Sequence, residues 1–159
     1  NEYENRCRTV KHLILIAYMG NNPIGFKMGY DRYNDGGFYS WMGGVLPGFR
    51  HKSVASKLAD YQENWAFKKG YDFIQLKTRK KHGAMINFSL NRGFTVINEI
   101  PMDDPLGTRI NACHLFFPRN LGGYPGAGPI ISISVIQSSF KKLGNFYHNN
   151  LSSTLLFLY

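Results

Sequence analysis

Residues 45–58 read VLPGFRHKSVASKL, and within them the hydrophobic period changes from that of a strand to that of a helix. The apolar run of residues 38–46, FYSWMGGVL, stops at Pro47, which has no N–H to give to a strand ladder. From Val54 onward the apolar side chains recur as Val54, Leu58, Tyr61 and Trp65, with Ala55, Ala59 and Ala66 beside them. That spacing predicts an amphipathic helix over residues 54–68. Lys57, Asp60, Gln62, Glu63 and Lys68 are expected on its other faces, and Gly70 is its stop. Any fold of this chain must accommodate this strand, turn and helix.

The flanking sequence supplies partners. Residues 12–19 (HLILIAYM) form a short apolar run ahead of Gly20-Asn21-Asn22-Pro23 and predict a buried strand. Residues 24–30 resume as a second strand, so the two make a hairpin. Residues 31–37 (DRYNDGG) are turn chemistry, and residues 38–46 are the third strand. Gly43 and Gly44 inside it predict a bulge or a close backbone approach. Residues 72–78 read as a fourth strand, 84–92 as a short helix closed by Gly93, and 94–100 as a fifth strand. The order β-β-β-α-β-α-β predicts an α+β, three-layer α/β/α plan with helices covering a mixed sheet.

Composition narrows the function classes. The chain has 159 residues, of which 43% are hydrophobic and 15% aromatic, so neither a disordered chain nor a disulfide-stapled peptide fits. Cys7 and Cys113 stand far apart, which excludes a disulfide framework and a CxxC-type zinc site; no metal is expected. The net charge of +9 favours a phosphate-bearing partner. All 10 acidic residues lie between Glu2 and Asp104, and beyond them only Arg109, Arg119, Lys141 and Lys142 carry fixed charge. The sequence therefore divides into a core at 1–104 and an acid-free extension at 105–159. Within the extension, residues 108–117 and 130–136 read as strands and 120–129 as a loop. Its uncharged stretch 120–140 is rich in Gly, Pro, Ser and Asn, which argues against a membrane span. The first ten residues show no basic start before an apolar run, so no signal peptide is read and a cytoplasmic location is expected.

The turn before the helix is the strongest chemical signal. N–H groups at a helix start have no intrahelical acceptor, and the helix dipole there favours anions. Arg50, His51 and Lys52 stand at that place, and Ser53 can cap the helix or meet a phosphate. A solvated basic turn with an ordinary serine cap is the plain alternative.

The same residues resemble motif A of the GNAT N-acetyltransferases, commonly V-x-P-x-[YF]-R-[GR]-x-G-[IV]-[GA]-x-x-L. Val45, Pro47, Phe49, Arg50, Val54, Ala55 and Leu58 are in register. Residues 70–78 (GYDFIQLKT) resemble the family's fifth strand, and residues 85–94 its next helix with the following Gly93-Phe94. Ile24-Gly25-Phe26 resembles its third strand, and the resemblance spans about residues 10–100. It implies a mostly antiparallel mixed sheet whose central strands splay apart to hold acetyl-CoA. The pantetheine arm would lie along Gly44, Val45 and Leu46, and the pyrophosphate on Arg50, His51, Lys52, Ser53, Val54 and Ala55. Asn87 joins this set as a group that could orient the thiol. Lys80, Lys81 and His82 are either a basic rim facing the cofactor or a solvated loop. Family members open with a strand and helices that this chain is expected to lack.

The resemblance implies transfer of an acetyl group from acetyl-CoA to an amine on a small molecule or peptide, with a homodimer as one expected assembly. No nucleic-acid motif is present, and neither nucleic acid nor membrane is an expected partner. The family usually has glycine where Ser53 stands, and often where His51 stands. Many members carry tyrosine at the position of Ser89 and a carboxylate near residues 38–46, where this chain has none. Tyr39 and Ser89 are the remaining catalytic candidates. A catalytically silent CoA-binding domain is the alternative these departures raise.

Overall fold

The computed structural model describes residues 2–116 and 131–135; the expected loop at 120–129 and the segment 145–159 lie outside the described residues. A short helix α1 (Glu2–Cys7) precedes the hairpin β1 (His12–Met19) and β2 (Asn22–Tyr30). Then follow β3 (Gly37–Val45), a 3-10 turn at Pro47–Phe49, and α2 (Val54–Lys68). The chain continues with β4 (Phe73–Arg79), α3 (Gly83–Asn91), β5 (Thr95–Ile100), β6 (Arg109–Leu115) and β7 (Ser132–Val135).

The described strands form one seven-stranded sheet in the order β5-β6-β4-β3-β2-β1-β7. Only β3 and β4 pair in parallel; the other neighbours are antiparallel. Helices α2 and α3 cover one face, where Leu13, Leu15, Ile24, Phe38, Leu58 and Ile74 are buried. On the other face Cys7 of α1 packs with Ile14, Ile16, Phe26 and Met28. This is the α/β/α mixed sheet that the element order predicted.

Local chemistry sets the helix ends. Gly70 and Gly93 take left-handed φ values of 85° and 88° just beyond α2 and α3, as the two glycine stops required. Phe94 N donates back to Ser89 O at 3.1 Å, which closes α3 and brings Phe94 into the core. Strand β6 lies beyond the 104/105 boundary drawn from charge, yet it sits between β4 and β5 and pairs with both, so the sheet runs across that boundary.

Two expectations about side-chain placement are corrected. Tyr61, assigned to the apolar stripe of α2, is 39% exposed, whereas Gln62, assigned to a polar face, is fully buried. The buried row is Val54, Leu58, Gln62 and Ala66, a steady four-residue step. The bulge in β3 falls at Trp41, not at Gly43 or Gly44. Met28 pairs with Met42 and Gly29 with Ser40, so Trp41 is the extra residue.

Candidate active site

The site begins where the sheet opens. The parallel ladder of β3 and β4 runs from Gly37↔Phe73 to Ser40↔Leu76 and stops. Beyond it β3 continues to Val45 and β4 to Arg79. The bulge at Trp41 starts at the next residue, and its added twist turns the rest of β3 away from β4. The result is a cleft lined by Lys27, Ser40, Trp41, Gly43, Lys77 and Thr78. Along it the β4-facing edge of β3 offers peptide groups that no described strand pairs, a template for an extended ligand.

Past Gly43, the last residue of β3 in the cleft lining, the strand ends at Val45 and the chain enters the turn before α2. Leu46 N is occupied, donating to Ile24 O at 2.9 Å. Arg50 Nε donates to Val45 O at 3.4 Å, while Arg50 Nη2 is buried without a partner. The first main-chain bond of α2 is Lys57 N to Ser53 O at 3.0 Å, which leaves the N–H groups of Val54, Ala55 and Ser56 with no acceptor in the helix. Ser53 makes no side-chain cap. His51, Lys52 and Ser53 are exposed, with the Lys52 ammonium 5.4 Å from the Phe49 ring centroid.

His51 and Ser53 adopt φ of 58° and 60°. These are left-handed positions that glycine fills without a Cβ penalty, which gives the physical reason for glycine there in the related motif. The donors and the orphaned guanidinium nitrogen fit a pyrophosphate. Val45, Arg50, His51, Lys52, Ser53, Val54 and Ala55 thus lie together where β3 runs through the turn into α2, with Gly44 on β3 next to Gly43 of the cleft lining. Asn87 is placed otherwise. It is exposed on α3 two residues after Met85, which lines the cleft, and so points to the other side of the helix. Lys80 and Lys81 are exposed, and His82 begins α3 with its imidazole held below the ordinary value by burial and by Lys81 and Arg79.

The two catalytic candidates lie on opposite faces of the sheet. Ser89 is buried on the helix side and its Oγ donates to Met85 O at 2.9 Å, so its proton is committed to backbone. Tyr39 is buried on the other face, 5.7 Å from the Tyr30 ring, with the Arg32 guanidinium 4.9 Å above its own. Burial pushes the Tyr39 hydroxyl above its ordinary value and Arg32 opposes this, leaving a phenol that donates a proton rather than accepting one. Neither cysteine is a ready nucleophile: burial raises Cys7 to about 11 and also raises Cys113. Among the described residues no group of His, Cys, Asp and Glu could hold a metal ion, and no helix is long and apolar enough to cross a membrane.

The model of the acetyltransferase (GNAT) family matches residues 1–94. The chain belongs to this family. Solved structures share its fold at low identity. A putative streptothricin acetyltransferase from Bacillus anthracis, solved in complex with acetyl coenzyme A, superposes with a TM-score of 0.62 at 21% identity, covering 67% of this chain and 64% of that one. An IAA acetyltransferase from Bacillus cereus gives 0.61 at 13% identity, covering 72% and 81%. Ard1 from Thermoplasma volcanium gives 0.55 at 18% identity, covering 60% and 65%. The chain therefore spans less than two thirds of the length of two of these proteins. No curated protein sequence matches it.

Three buried polar residues escape the sequence reading: Lys27 and Thr78 on the sheet, and Gln62 on the buried side of α2. Only Gln62 carried a signal, since it continues the four-residue step from Val54 and Leu58.

Proposed function

We propose that this GNAT-family chain is an acetyl-CoA-dependent N-acetyltransferase that acetylates an amine on a small molecule or peptide. The observation that carries this reading is the unpaired edge of β3 beyond Ser40, leading directly to the free N–H groups at the start of α2. Bound acetyl-CoA would supply an activated acetyl thioester. The edge of β3 orients the pantetheine arm by main-chain hydrogen bonds, and Arg50, Lys52 and the N–H groups of residues 54–56 bind the phosphates.

The acceptor must present a neutral amine, so one proton leaves the amine before or during attack, and one proton goes to the departing thiolate. β3 carries no carboxylate to take the first proton, which leaves it to solvent in the open cleft. Tyr39, held protonated by burial, is the better candidate to donate the second, because the Ser89 proton already serves Met85 O.

The silent CoA-binding reading draws support from that Ser89–Met85 bond and from the absence of a carboxylate on β3. Thermal unfolding with acetyl-CoA, paired with thiol release over an amine panel, separates the two readings. A raised melting temperature, lost in Arg50→Glu, together with amine-dependent release supports the enzyme. A shift without release supports the silent domain, and no shift at millimolar CoA sinks both.

A further inference from the structure

The cleft is lined from both sides of the sheet. Leu76 and Met85 belong to the core under α2 and α3, and Trp41 packs on the core that holds Cys7 of α1. Lys77 also lines the cleft, and strand alternation turns its side chain away from Leu76, to the α1 side. There its ammonium stands 5.3 Å from the ring centroid of Tyr33, which is 40% exposed.

Arg32 stands on the same ring. Its guanidinium is 5.2 Å from the Tyr33 centroid and 4.9 Å from that of Tyr39, so two aromatic rings hold it in place. It also meets the Tyr39 hydroxyl, which leaves most of its five N–H donors for a ligand. Arg32 and Lys77 are both exposed, and neither is ion-paired with a described carboxylate. The acids of the adjoining loop are occupied. Asp31 accepts from Tyr71 Oη and Asn34 N, and Asp35 from Gly37 N and Gln75 Nε2.

The neighbouring strands add positive charge to this face and no negative charge. Arg79 follows Lys77 by two residues and lies directly opposite Arg109 of β6, an arrangement of like charges that an anion relieves. Glu99 is the one acid in β4, β5 and β6, and it pairs with Ile110, which puts it on the other side from Arg109.

We propose that the amine acceptor carries a carboxylate, bound by Arg32 and Lys77, and is an amino acid or a similarly short aminocarboxylate. The proposal rests on the reading that acetyl-CoA lies along β3, with its acyl end where the ladder stops at Ser40 and Leu76. Tyr39 precedes Ser40 and Lys77 follows Leu76, so the two cations flank that point on the α1 side. A carboxylate matches the planar fork of Arg32, and Lys77 adds a point charge. A plain amine gains nothing from either group, and a polyamine is repelled. Transfer is balanced: the C–S bond breaks, the C–N bond forms, solvent takes the amine proton, and Tyr39 gives one to the thiolate.

The test is thiol release from acetyl-CoA by the 159-residue chain over matched pairs, each an α- or ω-amino acid and the amine that lacks its carboxylate. Aminoalkyl phosphates of the same chain lengths form a third arm. The best pair should favour the amino acid at least about tenfold in kcat/KM, with the gain in KM. Arg32→Gln and Lys77→Gln should each bring that ratio towards one, and Arg32→Lys, which keeps the charge without the fork, should fall between. Lys68→Gln removes the same charge from the end of α2 and should keep the ratio. No preference in any pair, or a ratio that survives both Arg32→Gln and Lys77→Gln, overturns the proposal. Preference for the phosphates overturns the choice of carboxylate. If no amine releases thiol although acetyl-CoA raises the melting temperature, the N-acetyltransferase reading falls and takes this one with it. Release by plain amines without discrimination removes the acceptor assignment alone.

Discussion

Ser40 on β3 pairs with Leu76 on β4, and the parallel ladder ends with them. Both residues also line the cleft, so the last paired position of the sheet is the first wall of the candidate site. Strands that stop pairing while both continue leave peptide groups that must find other partners. Here those groups face a cleft that ends at a helix start with free donors. The architecture spends sheet hydrogen bonds to create a slot for an extended ligand.

The left-handed turn at Ser53 is strained. Placing an L-residue there costs about 1–2 kcal/mol, and a β-branched side chain more. Ser53→Val should lower stability by about 2 kcal/mol, whereas Ser53→Gly should be neutral or stabilising by up to about 1 kcal/mol. Urea unfolding reads both. A valine variant as stable as the wild type would contradict the φ of 60°.

Gly29 has no room for a side chain. A Cβ there would lie 2.6 Å from Phe38 Cε1 and 2.6 Å from Tyr39 O, both held in the sheet. Gly29→Ala is expected to cost about 1–3 kcal/mol through forced displacement. At Gly48 an added Cβ meets nothing within 4 Å, so Gly48→Ala should stay within about 0.5 kcal/mol of the wild type. Melting temperatures of the two variants side by side check the contrast.

Arg92 ties the end of α3 to α2. Burial works against its charge, but the bonds and charges of Glu63 and Asp60 outweigh this and raise its pKa. Side-chain exposures of 15–17% leave some solvent screening. Arg92→Met should therefore destabilise by about 2–3 kcal/mol, below the cost at a fully dry pair, because it leaves two carboxylates together. Adding Glu63→Gln should recover part of the loss. Additive effects in this double-mutant cycle would show that the contact carries no coupling.

Tyr71 makes stability fall at high pH. Its hydroxyl donates to Asp31 Oδ2 at 3.3 Å. Burial first, then the Asp31 charge and hydrogen bond, raises its pKa from 10.0 to about 12. The folded state thus holds this proton more tightly than the unfolded state. Its contribution is complete below pH 10 and is lost as pH rises towards 12. Tyr71→Phe should flatten the stability curve in that window, measured by urea unfolding at several pH values. An unchanged slope would remove Tyr71 as its source.

What could be foreseen from sequence was what is local in the chain. The span of α2, the stops at Gly70 and Gly93 and the alternation leading to β7 depend on neighbouring residues, and each is found where it was expected, although the buried row of α2 runs through Gln62 and not Tyr61. The phosphate-facing turn is likewise contiguous, so its members were named together. Long-range pairing was hidden: nothing in residues 109–115 shows that they insert between β4 and β5. The cavity between α2 and α3 draws on five elements, β2, β3, α2, β4 and α3, and its buried amide, Gln62, reads as a surface group because polar residues at core positions are rare. The bulge was sought at glycines, where backbone freedom is greatest, but it sits at Trp41, where the ladder with β4 has just ended.

That extra residue also sets the phase of β3. Phe38 and Val45 both join the core beneath α2, although an odd separation in a regular strand would put them on opposite sides. Tyr39 and Met42, also an odd step apart, share the other core. The cleft is therefore sensitive to chain length in a way that it is not to composition. Substitutions between residues 41 and 45 alter what a ligand touches. Insertion of a single further residue there would turn the stretch over and carry Val45 to the side of Tyr39, whereas loss of the extra residue would leave a regular strand with Val45 still on the side of Phe38.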